Sequence, residues 1–67
     1  MNIKLAERLK NLRAKANISQ AKLAEEIGVD KAFIALVESE KSFVSIQVLI
    51  LLADFFNVTT DHLLGRD

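Results

Sequence analysis

Apolar residues recur along this chain at intervals of three and four, and the polar residues that interrupt them fall where helices begin and end. From Ile3 to Ala16, the positions Ile3, Leu5, Leu9, Leu12 and Ala16 alternate with Lys4, Glu7, Arg8, Lys10, Asn11 and Lys15, which predicts an amphipathic helix closed at Asn17. Ser19 can accept a hydrogen bond from a free amide of the next turn, so it predicts the start of a short helix over about Gln20–Ile27, ended by Gly28. Asp30 occupies the equivalent cap position for a third segment, Lys31 to about Ser39, whose apolar residues Phe33, Ile34, Leu36 and Val37 cover more than one narrow stripe.

Beyond Ser39 the pattern changes. Ser45 caps a run from Ile46 to Phe56 in which only Gln47 and Asp54 are clearly polar, the composition of a helix that is central or part of an interface. Thr59 then caps Thr60 to Leu64, closed by Gly65, with Asp61 in the first turn where the helix dipole favours negative charge. The expected architecture is all-α, a five-helix bundle in one domain spanning residues 1–67. Sixty-seven residues bury only about 60% of their unfolded surface on folding, so stability has to come from dense apolar packing. With no cysteine and one histidine, neither a disulfide nor a zinc cluster is available to reinforce the core.

Charge refines this picture. The chain carries nine basic and nine acidic residues, but residues 1–31 hold seven and four (+3) and residues 32–67 hold two and five (−3), so the molecule is electrically two-sided. Residues 1–12 interleave Lys4, Glu7, Arg8 and Lys10 with apolar positions, which is neither a signal sequence nor a membrane span. A soluble cytoplasmic protein is the expectation, consistent with the lack of cysteine.

Two short helices joined by a glycine-containing turn form the unit that presents its second helix to a groove of duplex DNA. Ala24 is small where the two helices must cross, Gly28 lies in the turn, and Ile34 and Val37 supply buried aliphatics on the second helix. With these residues stand Arg8-Leu9-Lys10-Asn11-Leu12-Arg13, Ile18-Ser19-Gln20, Leu23-Ala24, Ile27-Gly28-Val29, Ile34 with Glu38, Leu52 to Val58 and Asp61 to Gly65. As an ordered set they resemble the Cro/C1-type (XRE-type) helix-turn-helix transcriptional repressors, over about Leu5 to Gly65.

The resemblance implies a lambda-repressor-like DNA-binding domain whose helix-turn-helix unit spans about residues 20–39, and a sequence-specific regulator, in all expectation a repressor, binding double-stranded DNA as a homodimer. It implies that Gln20 meets the backbone or a base edge and that Lys31, Ala32, Ala35 and Ser39 face the groove, with Phe33 and Leu36 beside them as either DNA contacts or core and rim packing. Ser19, Lys22 and Lys41 complete the DNA-contact candidates, and Lys22, Lys31 and Lys41 read either as phosphate contacts or as solubilising surface charges. It also implies a structural ion pair between Arg13 and Glu38. Family members commonly carry Arg, Ser, Thr, Gln or Asn on the reading face, whereas Ala32, Ala35, Leu36 and Phe33 offer only apolar contact, as with a thymine methyl. Glu40 stands where glycine is frequent and Val44 where proline is frequent. Leu49, Leu52 and Phe56 on the apolar fourth helix are candidates for the dimer interface.

An alternative stays open from the same residues: an apolar third helix beside an apolar fourth suits a protein-interaction or oligomerisation module on this fold. Catalysis is not expected. Ser19, Ser39, His62, Asp54 and Asp61 supply triad residue types without any nucleophile signature, and Gly28 and Gly65, 37 positions apart, form no phosphate loop. No metal, cofactor, membrane or small-molecule ligand is expected, His62 having no second ligand at helical spacing.

Overall fold

Local signals set nearly every boundary in the computed structural model, which describes residues 3–67. The elements are α1 (Leu5–Ala16), α2 (Gln20–Ile27), α3 (Lys31–Glu38), α4 (Ile46–Phe56) and α5 (Thr60–Leu64), with no strand among the described residues. Ser19, Ser45 and Thr59 each accept a hydrogen bond from the backbone N–H three residues on, at 3.0, 3.2 and 3.0 Å. Asn17, Gly28, Asn57 and Gly65 close their helices in the left-handed conformation.

One boundary and one cap depart from the sequence pattern. Helix α1 begins at Leu5, since Ile3 precedes the cap at Lys4 and is itself partly exposed. Asp30 holds the extended backbone of an N-cap but its side chain caps nothing; its carbonyl instead accepts from Phe33 and Ile34 at 3.0 and 3.3 Å.

Each element sends residues to one core: Leu5 and Leu9 from α1, Leu23 and Ala24 from α2, Ile34 and Val37 from α3, Leu52 and Ala53 from α4, and Leu63 from α5. Val44, in the connection between α3 and α4, completes it. A fully buried leucine or isoleucine contributes about 1.5–3 kcal/mol, so these side chains fix the fold without a covalent link. Helix α3 packs on both α1 and α2, α4 packs on α2 and α5, and α5 returns to α1. A backbone bond from Lys4 N–H to the Leu64 carbonyl, 3.1 Å, joins the two ends of the helical array. At Gly65 (φ 75°) a Cβ would lie 2.8 Å from the Lys4 Cβ, so both conformation and closeness require glycine there.

Candidate nucleic-acid interface

The pairing of α2 with α3 rests on small and branched residues at the crossing. Ala24 is 2% exposed and lets the helix backbones approach, while Ile34 and Val37 fill the space beneath α3. Gly28 is required for a different reason from Gly65: nothing lies within 4 Å of where its Cβ would be, but its φ of 77° is left-handed. The turn therefore depends on backbone conformation, and the crossing depends on side-chain size.

Behind this pair, Arg13 of α1 holds the start of α2 and the end of α3 together. Its Nε donates to Glu38 Oε2 at 2.6 Å, its Nη2 to Oε1 at 2.8 Å, and its Nη1 to the Ile18 carbonyl at 2.9 Å. The Gln20 side-chain amide adds a donor to Glu38 Oε1 at 3.1 Å. Burial alone would push the Glu38 carboxyl up. Hydrogen bonds from Arg13 and Gln20, with the charges of Arg13 and Lys10, outweigh it and hold the group below the ordinary glutamate value. Arg13 is in turn raised, chiefly by its hydrogen bond to Glu38. The Gln20 link joins residues far apart in sequence, and no spacing rule signals it.

The residues proposed for DNA contact separate into an outward group and others. Lys31, Ala32, Leu36 and Ser39 are exposed on the outer face of α3, Ala35 is half-exposed at its margin, and Lys41 is exposed just beyond. Phe33 is half-buried and packs against the core, so it seats α3 instead of extending the outer stripe. The Ser39 hydroxyl donates to the Leu36 carbonyl at 3.1 Å and has no second proton to offer a base. Ser19 is exposed and occupied as a cap. Lys22 is exposed, with its Nζ 3.0 Å from Glu26 and 3.4 Å from Glu25, so its charge is locally opposed. Lys31 and Lys41 form no ion pair among the described residues.

Helix α4 corrects the sequence reading. Leu52 is fully buried, and Leu49 and Phe56 are half-buried against the core, so these three candidates line the inward face. Leu52 in particular cannot meet a partner without leaving the core. The outward apolar residues are Ile46, Ile50, Leu51 and Phe55, at 75%, 47%, 45% and 39% exposure. A run with only two polar positions does not reveal which way it is turned, and the packing of α4 against α2 and α5 decides it.

His62 belongs to a polar cluster near the chain's last residues. Its Nδ1 lies 2.7 Å from Asp67 Oδ2, and Arg8 Nη1 lies 3.3 Å from the same oxygen. The hydrogen bond to His62 and that to Arg8 hold Asp67 below the ordinary carboxylate value. Among the described residues no group of His, Cys, Asp and Glu could hold a metal ion, and no helix is long and apolar enough to cross a membrane.

Two helices crossing at an alanine, turned by a left-handed glycine and presenting the outer face of the second, define a helix-turn-helix domain. The helix-turn-helix family profile matches residues 9–63, and the chain belongs to the XRE-type helix-turn-helix family of transcription regulators. It is 38% identical to the control protein C.SmaI of Serratia marcescens, over 98% of this chain and 81% of that one. It is 34% identical to the cryptic phage CTXphi transcriptional repressor RstR of Vibrio cholerae, over 96% of this chain and 57% of that one. The crystal structure of the restriction-modification controller protein C.AhdI from Aeromonas hydrophila superposes with a TM-score of 0.82 at 30% identity, covering 91% of this chain and 92% of that one. The chain spans between 30% and 57% of the length of four of its curated relatives.

Proposed function

We propose that this chain binds duplex DNA through α3 and regulates transcription, acting as a cytoplasmic repressor that occupies a pseudo-palindromic operator as a homodimer. The observation that carries the reading is the Arg13–Glu38–Gln20 network, which fixes α1, the start of α2 and the end of α3 as one rigid unit while leaving the outer face of α3 free. The mechanism is docking. Helix α3 has eight residues and is about 12 Å long, a match to a major groove about 12 Å wide. First-turn amides of α2 left free by the Ser19 cap, with Lys31 and Lys41, meet phosphates on either side. Two copies place their α3 helices about 34 Å apart, one turn of the duplex.

The exposed apolar residues of α4, Ile46 and Ile50 on one flank and Leu51 and Phe55 on the other, support two readings: the contact between the two copies of a dimer, or the docking surface of an interaction module that no longer reads DNA. Selection from a random duplex pool at low salt, followed by binding of the enriched sequences across a salt series, separates them. Phosphate contacts by Lys31 and Lys41 in each of two copies give a log–log salt slope of about −3.6, or roughly a hundredfold loss of affinity between 50 and 200 mM salt. A palindromic enriched site with that slope supports the dimeric regulator. No enrichment, with no duplex retained at low salt, overturns it in favour of the interaction module.

A further inference from the structure

We propose that α3 reads thymine through its 5-methyl group, so that the operator places A·T pairs, thymine inward, beneath Leu36 and Ala32. The proposal rests on the reading of α3 as the groove-facing helix and names what that helix recognises.

Side chains tell bases apart in the major groove by paired donors and acceptors, or by apolar contact with the thymine methyl, which alone among the base substituents there is hydrocarbon. On α3 and its C-cap the exposed face carries one lysine, Lys31, and one hydroxyl, at Ser39, with Gln20 and Lys22 of α2 beside it. Ser39 gives its only proton to the Leu36 carbonyl and keeps only acceptor lone pairs for a base. Gln20, at the edge of the face, has one amide hydrogen committed to Glu38. Lys22 is exposed, with Glu25 and Glu26 beside it opposing its charge. What remains outermost is Ala32 and Leu36, four residues apart on one face, with Ala35 alongside and Leu36 at 44% exposure.

This apolar stripe is bracketed by two cations, Lys31 at its start and Lys41 just past its end, neither in an ion pair among the described residues. A duplex supplies both parts: phosphates at the groove edges for the lysines, and methyl groups in the groove for the leucine and alanine. Over a G·C pair the same side chains would strip water from guanine O6 and N7 and cytosine N4 without replacing those hydrogen bonds, so the discrimination is both a gain at thymine and a loss at cytosine.

The test uses the enriched duplex from the selection described above, remade with deoxyuridine in place of thymidine at single positions. That change deletes one methyl and leaves every hydrogen-bonding group of the pair in place. Each methyl covered by Leu36 or Ala32 contributes about fourfold in affinity, and a symmetric pair of them about fifteenfold. The Leu36→Ala variant, whose side chain is largely outside the core, binds the thymidine and deoxyuridine duplexes within about twofold of each other at the Leu36 position. Equal binding of both duplexes by the unaltered protein, or enriched sites with G·C pairs beneath α3, overturns the proposal while a steep salt slope leaves the regulator standing. Failure to retain any duplex overturns both. Because the deoxyuridine comparison needs no variant, it decides the question even if Leu36→Ala does not fold.

Discussion

At the scale of single residues, Glu38 carries the largest electrostatic consequence. Its side chain is 4% exposed, and an ionised carboxylate so placed is costly unless charge and hydrogen bonds compensate. Arg13 and Gln20 do so, and they depress its proton affinity in the folded state. The sign follows from linkage. The unfolded chain titrates near the ordinary value of about 4.3, so the stabilisation from Glu38 is complete above that pH and is lost as pH falls through the lower folded value. Glu38→Gln is therefore expected to be about 2 kcal/mol less stable than the parent near neutrality, with the difference shrinking towards pH 3. Denaturant melts at the two pH values check this, and a difference independent of pH would remove the ion pair from the explanation. Arg13→Ala is the harsher change, about 3–5 kcal/mol, because it leaves the buried carboxylate without its cation.

At the scale of elements, the end of α3 shows how much of this fold is legible in sequence. Glu40 adopts φ 64°, a left-handed residue that follows the Ser39 cap, with its N–H on the Val37 carbonyl and the Lys41 N–H on the Leu36 carbonyl. A side chain in that conformation costs about 1–2 kcal/mol, and glycine returns about 0.4–1 kcal/mol of that through the greater freedom of its unfolded chain. Glu40→Gly is thus expected to stabilise by about 0.5 kcal/mol, raising the melting temperature by about 2–4 °C. Glu40→Val should lower it, and a glycine variant that melts below the parent would contradict the strain argument. The resemblance marks residue 40 as a frequent glycine position without by itself giving the left-handed turn. Caps at Ser19, Ser45 and Thr59 are readable, because each signal is local. The orientation of α4 is not: with apolar residues on nearly all sides, only packing against α2 and α5 tells Leu52 from Leu51. Nor is the Gln20–Glu38 bond, a product of tertiary approach.

At the scale of the whole molecule, the outward face of α4 is where the proposed dimer would meet. A stable interface of standard size takes about 800 Å² from each partner, close to a fifth of the 4350 Å² that this chain exposes. At about 100° per residue Ile46 and Ile50 occupy one flank of the outer face and Leu51 and Phe55 the other, with exposed Gln47 and Asp54 between them. This apolar area is part of such a contact and not its full extent, so the proposed dimer is weak in solution and is completed by the operator. Ile50→Glu with Leu51→Lys changes exposed side chains only and should leave the melting temperature within a few degrees. Sedimentation at high protein concentration should show a monomer where the parent shows dimer, and operator affinity should fall at least tenfold. An unchanged sedimentation profile would place the contact elsewhere.

The two sides of α3 share almost no residues. Ile34, Val37 and Glu38 face inward and hold the helix in place, while Lys31, Ala32 and Leu36 face outward and pack on nothing in the core, and Ser39 supports only the last turn through its hydroxyl on the Leu36 carbonyl. Exposed substitutions of this kind cost about 0.5 kcal/mol or less, so the outer four positions can be exchanged freely while the scaffold persists. A lineage built on such a helix can wander through target sequences by neutral drift, and a laboratory library confined to those four positions would inherit a fold that never has to be re-optimised.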